Sequence, residues 1–141
     1  MDSRLGILLI DDDPGITSAL RLWAKLEEVA LFTFESGEAF LKARDAGEFS
    51  FGPNSSIGEP ITHALVDFTL PGMSGDQLIK RLSSFLPPSR LALITAKQFE
   101  LQDRQEIALD QFRLMKKPFA LSELDDFIFE SDSELAHATP V

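Results

Sequence analysis

Five short apolar runs, each about the length of one strand, punctuate the sequence at residues 5–10, 30–34, 64–66, 91–94 and 112–115. The first and fourth are apolar almost throughout, as strands covered on both faces are. Stretches with helical spacing lie between them. Ile16, Ala19, Leu20, Trp23 and Leu26 recur every three or four residues. Leu78, Ile79, Leu82, Phe85 and Leu86 do so more clearly, and Leu121, Leu124, Phe127 and Ile128 form a third stripe. Ser122 and Asp125 are spaced to open that last helix as a capping box. Ala39, Phe40 and Ala43 mark a shorter helix over 38–46, and residues 98–109 carry the weakest helical pattern. The order is strand then helix, five times over. Such alternation implies a parallel sheet with helices on both faces, and right-handed crossovers leave few topologies. The expected fold is α/β and doubly wound, a five-stranded parallel sheet in order 2-1-3-4-5.

Two segments stand outside the repeat. Residues 48–60 (EFSFGPNSSIGEP) are rich in Gly, Ser, Pro and Asn and read as a long surface loop. Residues 131–141 read as a frayed tail. No linker to a second domain is visible, so the 141 residues read as one domain.

Composition narrows the function classes. Thirteen Lys and Arg stand against 23 Asp and Glu, a formal charge of −10. That balance argues against nucleic acid and against an anionic membrane surface as partners. The absence of Cys removes disulfides and thiolate zinc sites. With only His63 and His137, a multi-histidine metal site within one chain is nearly excluded as well. His63 reads as a residue at a strand entrance, and Trp23 and the twelve Phe read as core. No signal peptide and no membrane span are seen, so the expected location is cytoplasmic.

The chemistry-bearing residues all stand where strands end. Asp11, Asp12 and Asp13 follow the first run, Asp67 the third and Thr95 the fourth, and Lys117 follows the fifth just before Pro118. In a parallel sheet these ends share one edge, where ligands bind. Three crowded carboxylates need a cation, and oxygen-only ligands suit Mg²⁺. A carboxylate beside Mg²⁺ can attack a phosphoryl group, with a Lys ammonium and a Thr hydroxyl holding its other oxygens. Taken singly, each feature has a plainer meaning. The Asp triplet could be a solvated turn with Asp13 as a helix cap, Asp67 a strand-end acid, and Lys116–Lys117–Pro118 a surface turn. Their joint order along the chain is what points to a site.

These segments resemble the receiver domain of two-component response regulators. The resemblance rests on ILLIDDDPGI (7–16), HALVDFTLPGMSGDQLI (63–79), LALITA (91–96), MKKPF (115–119) and the strand–helix repeat, and covers about residues 4–130. It implies that Asp67 is the phosphoacceptor and that Asp11, Asp12 and Asp67, with the backbone carbonyl of Thr69, hold Mg²⁺ or Mn²⁺. It further implies that Thr95 and Lys117 contact the phosphoryl group. Pro71, Gly72 and Gly75 would shape the loop after Asp67, and the Lys117–Pro118 bond is commonly cis in the family. Asp13 would be structural. The sequence departs from the family at Leu114, where an aromatic switch residue is common, and in the length of 48–60. Lys97, two beyond Thr95, is a candidate for tuning water access.

The implied function is a stand-alone signalling phosphoacceptor. It would take its phosphoryl group from a histidine kinase or a histidine phosphotransfer protein and act on a downstream protein. It would not be an enzyme beyond its own phosphorylation and dephosphorylation, and would be a monomer or a phosphorylation-dependent dimer. Two alternatives stand beside it. ILLIDDDPGI also resembles the haloacid-dehalogenase phosphatase motif, with Asp11 as nucleophile and Asp13 as acid. A receiver-like binding module that takes no phosphate is the other. The acids Glu123, Asp125, Asp126 and Glu130 read either as a solvated helix face or as a partner-docking face.

Overall fold

Alternate side chains of a strand point to opposite sides, so a run that is apolar throughout must be covered twice. The computed structural model, which describes residues 5–51, 58–96 and 111–130, shows how. Strand β1 (Gly6–Ile10) is buried along its whole length. Leu8 and Ile10 enter one core, with Phe40, Val66, Ile79 and Leu93. Ile7 and Leu9 enter the other, with Leu20, Trp23, Ile94 and Phe127.

Around β1 the sheet is parallel and five-stranded. It uses β2 (Ala30–Phe34), β5 (His63–Asp67), β6 (Leu91–Thr95) and β7 (Arg113–Lys116), in order β2-β1-β5-β6-β7. Counting only the strands of this sheet, that is 2-1-3-4-5, the expected doubly wound α/β arrangement. Helix α1 (Pro14–Glu27) covers one face together with α4 (Leu121–Asp125), which runs on as a π-helical turn over Asp126–Glu130. Helices α2 (Gly37–Asp45) and α3 (Gly75–Leu82) cover the other. None of the helices described is long and apolar enough to cross a membrane. The helix expected over 98–109, Lys97, His137 and the tail 131–141 lie outside the described residues.

The expected surface loop over 48–60 is corrected in its described parts. Strands β3 (Phe49–Phe51) and β4 (Glu59–Ile61) pair in parallel as a separate two-stranded sheet. The cause is the alternation Phe-Ser-Phe, which puts two rings on one side. Phe49 lies edge-on to Phe32 at 5.1 Å and to Phe34 at 5.6 Å, and Phe51 stacks on Phe85 at 4.8 Å. Such ring pairs add about 0.5–1.5 kcal/mol beyond the area they bury. Ile61 is fully buried beneath them.

The start of the last helix is also corrected. The N-cap is Ala120, whose N–H donates to the Glu123 carboxylate at 3.1 Å. Asp125 has another task, accepting the indole N–H of Trp23 at 2.8 Å. A buried indole needs an acceptor, and this one ties α1 to α4. Two acids of the supposed solvated face are therefore engaged within the fold.

His63 opens β5 and is fully buried, at the sheet edge opposite to Asp67. Its Nδ1 lies 2.9 Å from Thr62 Oγ1, Nε2 makes no hydrogen bond among the described residues, and the ring stands edge-on to Phe127. Burial, helped by the charge of Arg90, lowers its pKa from 6.5 to about 3. The unfolded chain binds the proton first. The contribution of the neutral His63 ring is therefore complete above pH 6.5 and is lost as pH falls toward 3. The expected loss is about 1.4 kcal/mol per unit below the upper value. Urea midpoints taken above and about one unit below that value should show this slope, and His63→Met should flatten it. Equal slopes in the two proteins would refute the assignment.

Candidate functional site

The carboxyl ends of β1, β5, β6 and β7 meet at one edge of the sheet. Asp11 follows β1 and is 2% exposed, and Asp67 ends β5 and is 5% exposed. Asp12 is exposed beside them, and carboxylate oxygens of all three lie within 4.8 Å of one another. Lys117, just past β7, reaches across. Its Nζ is 3.0 Å from Asp11 Oδ2 and 3.2 Å from Asp67 Oδ2. The Lys117–Pro118 peptide bond is cis.

The backbone around this cluster is closely tied. Asp11 Oδ1 accepts the N–H of Asp13 at 2.9 Å, and Asp13 Oδ1 accepts that of Gly15 at 2.9 Å. Asp13 is thus the N-cap of α1, with Pro14 in the first turn. Asp67 Oδ1 accepts the N–H of Thr69 at 3.1 Å, which draws the following loop against the carboxylate. Thr95 is buried at the end of β6, and its carbonyl accepts the N–H of Lys117 at 2.7 Å. Pro71 and Gly72 are exposed in the loop after Asp67, where Gly72 takes φ +73°. Gly75 opens α3 directly against the Asp67 carbonyl, where a Cβ has no room. Leu114 is half-buried among the side chains of the α2 and α3 face.

The charges are unevenly shared. Burial pushes the Asp11 carboxyl up from 3.8 to about 6, against the Asp13 N–H and Lys117, which pull it down, while nearby Asp67 adds to the rise. Burial pulls the Lys117 ammonium down, but Asp11 and Asp67 outweigh it and its pKa is raised. Among the described residues Lys117 alone pairs with these acids, which leaves negative charge in excess. Asp11 Oδ2 is buried and faces the Lys117 ammonium at 3.0 Å. Three clustered carboxylates beside this ammonium, as an all-oxygen donor set, fit a hard divalent cation. A cleft of about 600 Å³ opens beside Asp11 and Asp12, between α1 and the end of β2.

The structure therefore brings together Asp11, Asp12, Asp67, Thr95 and Lys117, with Asp13 as a cap and Thr69, Pro71, Gly72 and Gly75 in the adjoining loop. One contact had no sequence signal. Glu38, in the first turn of α2, accepts the N–H of Met73 in that loop at 2.7 Å.

Known proteins agree with this arrangement. The profile of the response regulator receiver domain matches residues 7–129. No curated protein matches the chain. Among solved structures, a CheY-like receiver domain protein from Methanospirillum hungatei JF-1 is 21% identical, with a TM-score of 0.67, covering 94% of this chain and 99% of that one. The receiver domain of an HD domain-containing protein from Pseudomonas fluorescens Pf-5 is 20% identical, with a TM-score of 0.72, covering 96% and 99%. A structure described as adenylate cyclase from Rhodopirellula baltica is 23% identical, with a TM-score of 0.69, covering 97% and 100%. These likenesses show the fold, and the profile match over residues 7–129 shows the family: the chain belongs to the response regulator receiver domains of two-component systems.

Proposed function

We propose that the chain is a phosphoacceptor, with Asp67 as the nucleophile. The observation that carries this reading is the position of Lys117, whose ammonium contacts the buried Asp11 and Asp67 together. Receiver domains interact with histidine kinases or phosphotransfer proteins and typically bind Mg²⁺ at an acidic pocket. In this chain Asp11, Asp12 and Asp67, with the Thr69 carbonyl, would hold Mg²⁺ or Mn²⁺. The bound ion supplies positive charge that offsets the crowded carboxylates and a phosphoryl oxygen.

The protein's own groups do the rest. Thr69 N–H and Lys117 hold the two oxygens of Asp67, so the carboxylate is oriented before the donor arrives. An Asp67 oxygen forms the new P–O bond as the P–N bond to the donor imidazole breaks, and the ring, already protonated at its other nitrogen, leaves as neutral imidazole with the electron pair of the broken bond. Lys117 pairs with the charge on the transferred group, and the Thr95 hydroxyl donates to another of its oxygens. The reading extends to the whole chain as one signalling domain in the cytoplasm, passing its state to a partner protein. The phosphatase alternative needs Asp13 as an acid, whereas Asp13 Oδ1 is engaged in capping α1.

Acetyl phosphate should label the protein in the presence of Mg²⁺ and not in EDTA, as read by intact mass. Asp67→Asn should remove the label. Labelling that persists in that variant, or that ignores Mg²⁺, would overturn the assignment.

A further inference from the structure

The loop after Asp67 is fastened at both ends within its own neighbourhood. At its start Phe68 N–H donates to the Ile94 carbonyl and Thr69 N–H to Asp67 Oδ1. At its end Gly75 N–H donates to the Phe68 carbonyl. Its middle is reached from a different element. Glu38 of α2 projects its carboxylate over the loop and accepts the Met73 N–H at 2.7 Å. The same carboxylate occupies the space where a Cβ on Gly72 would fall, 2.5 Å from Glu38 Oε2. Gly72 also adopts φ +73°, which glycine adopts without strain. A Cβ on Gly72 would push the Glu38 carboxylate away from the loop. Glu38 sits in the first turn of its helix, where the macrodipole favours a negative charge.

We propose that Glu38 is a positioning residue for the phosphoacceptor loop. It holds the loop in the path that presents the Thr69 carbonyl and the Asp67 carboxylate to one cation. The proposal rests on the phosphoacceptor reading, and acts through the loop rather than by touching the phosphoryl group. Groups hydrogen-bonded to a metal ligand itself typically alter affinity by about 10–100-fold, and Glu38 acts one link further out, through Met73. Glu38 is exposed, so its replacement leaves the core intact and belongs at the lower end.

The test uses the full chain, with MgCl₂ and acetyl phosphate as probes. Glu38→Ala should raise the Mg²⁺ concentration for half-maximal labelling about tenfold and weaken calorimetric Mg²⁺ binding equally. The labelling rate at saturating Mg²⁺ should change less. Glu38→Gln keeps an oxygen acceptor for Met73 N–H and should behave nearly as the wild type. Thermal melting in EDTA separates a positioning role from a structural one. A lower melting temperature with unchanged Mg²⁺ binding overturns the proposal, as does a Gln variant as impaired as the Ala variant. A wild type that binds Mg²⁺ but takes no label defeats the phosphoacceptor reading instead.

Discussion

Asp11→Asn is expected to move metal affinity and metal-free stability in opposite directions. Removing one of three carboxylates takes away a buried charged oxygen of the cluster. Mg²⁺ binding should weaken by more than the roughly 10–100-fold that loss of an outer partner alone brings. Without the ion, the same carboxylate is a burden. Its pKa rises from 3.8 to about 6 on folding, chiefly through burial. A carboxyl with a raised folded pKa contributes fully below 3.8 and loses that contribution as pH climbs through 6. At neutral pH the ionised carboxyl thus weighs against folding. Asp11→Asn should therefore melt higher than the wild type in EDTA near neutral pH. The gap should close as pH falls below the folded pKa, and excess MgCl₂ should reverse the order. If the variant melts lower than wild type in EDTA at neutral pH, carboxylate crowding is not what shapes this pocket.

Gly75→Ala is expected to be the most damaging single methyl at the site. Gly75 begins α3 where the helix passes under the end of β5, and its N–H donates to the Phe68 carbonyl at 3.0 Å. An added Cβ would fall on the Asp67 carbonyl oxygen and within 2.6 Å of Phe68 Cα. These are backbone atoms of a buried strand end, so no side chain can swing aside. Either α3 lifts or the β5 end bends, and both displace Asp67. Overpacking of this kind costs about 3 kcal/mol or more. For a chain of this size that corresponds to a fall in Tm of roughly 10 °C. Labelling by acetyl phosphate should fall even at temperatures where the variant is folded. A variant within about 1 kcal/mol of wild type would mean that α3 is more loosely seated than the close approach implies.

The main sheet was legible because its three inner strands, β1, β5 and β6, are covered on both faces. Continuous apolar runs are then the only sequences that suit, and their carboxyl ends must share an edge. That rule places Asp11, Asp67, Thr95 and Lys117 together although they are scattered along the chain. Features that depend on a single long-range partner were not legible. Glu38 meets Met73 across 35 positions, and Trp23 meets Asp125 across 102. Neither pair leaves a local pattern. Asp125 looked like part of a capping box because spacing alone does not reveal that an indole has already claimed its oxygen. Phe49 and Phe51 were hidden differently. Their alternation spans three residues, and the Gly, Pro, Ser and Asn that follow dominate the composition of the segment.

The Trp23–Asp125 hydrogen bond has a spectroscopic consequence. The chain has one Trp and no Tyr. Its indole is 3% exposed, bonded to Asp125 and 6.4 Å from the Phe129 ring. Emission excited at the indole band thus comes from one residue, lodged between the first helix and the last. Any event that parts those two helices will shift the emission to the red, and events confined to the other face of the sheet will leave it still. The protein carries a built-in optical gauge for one of its two faces, with no label to attach.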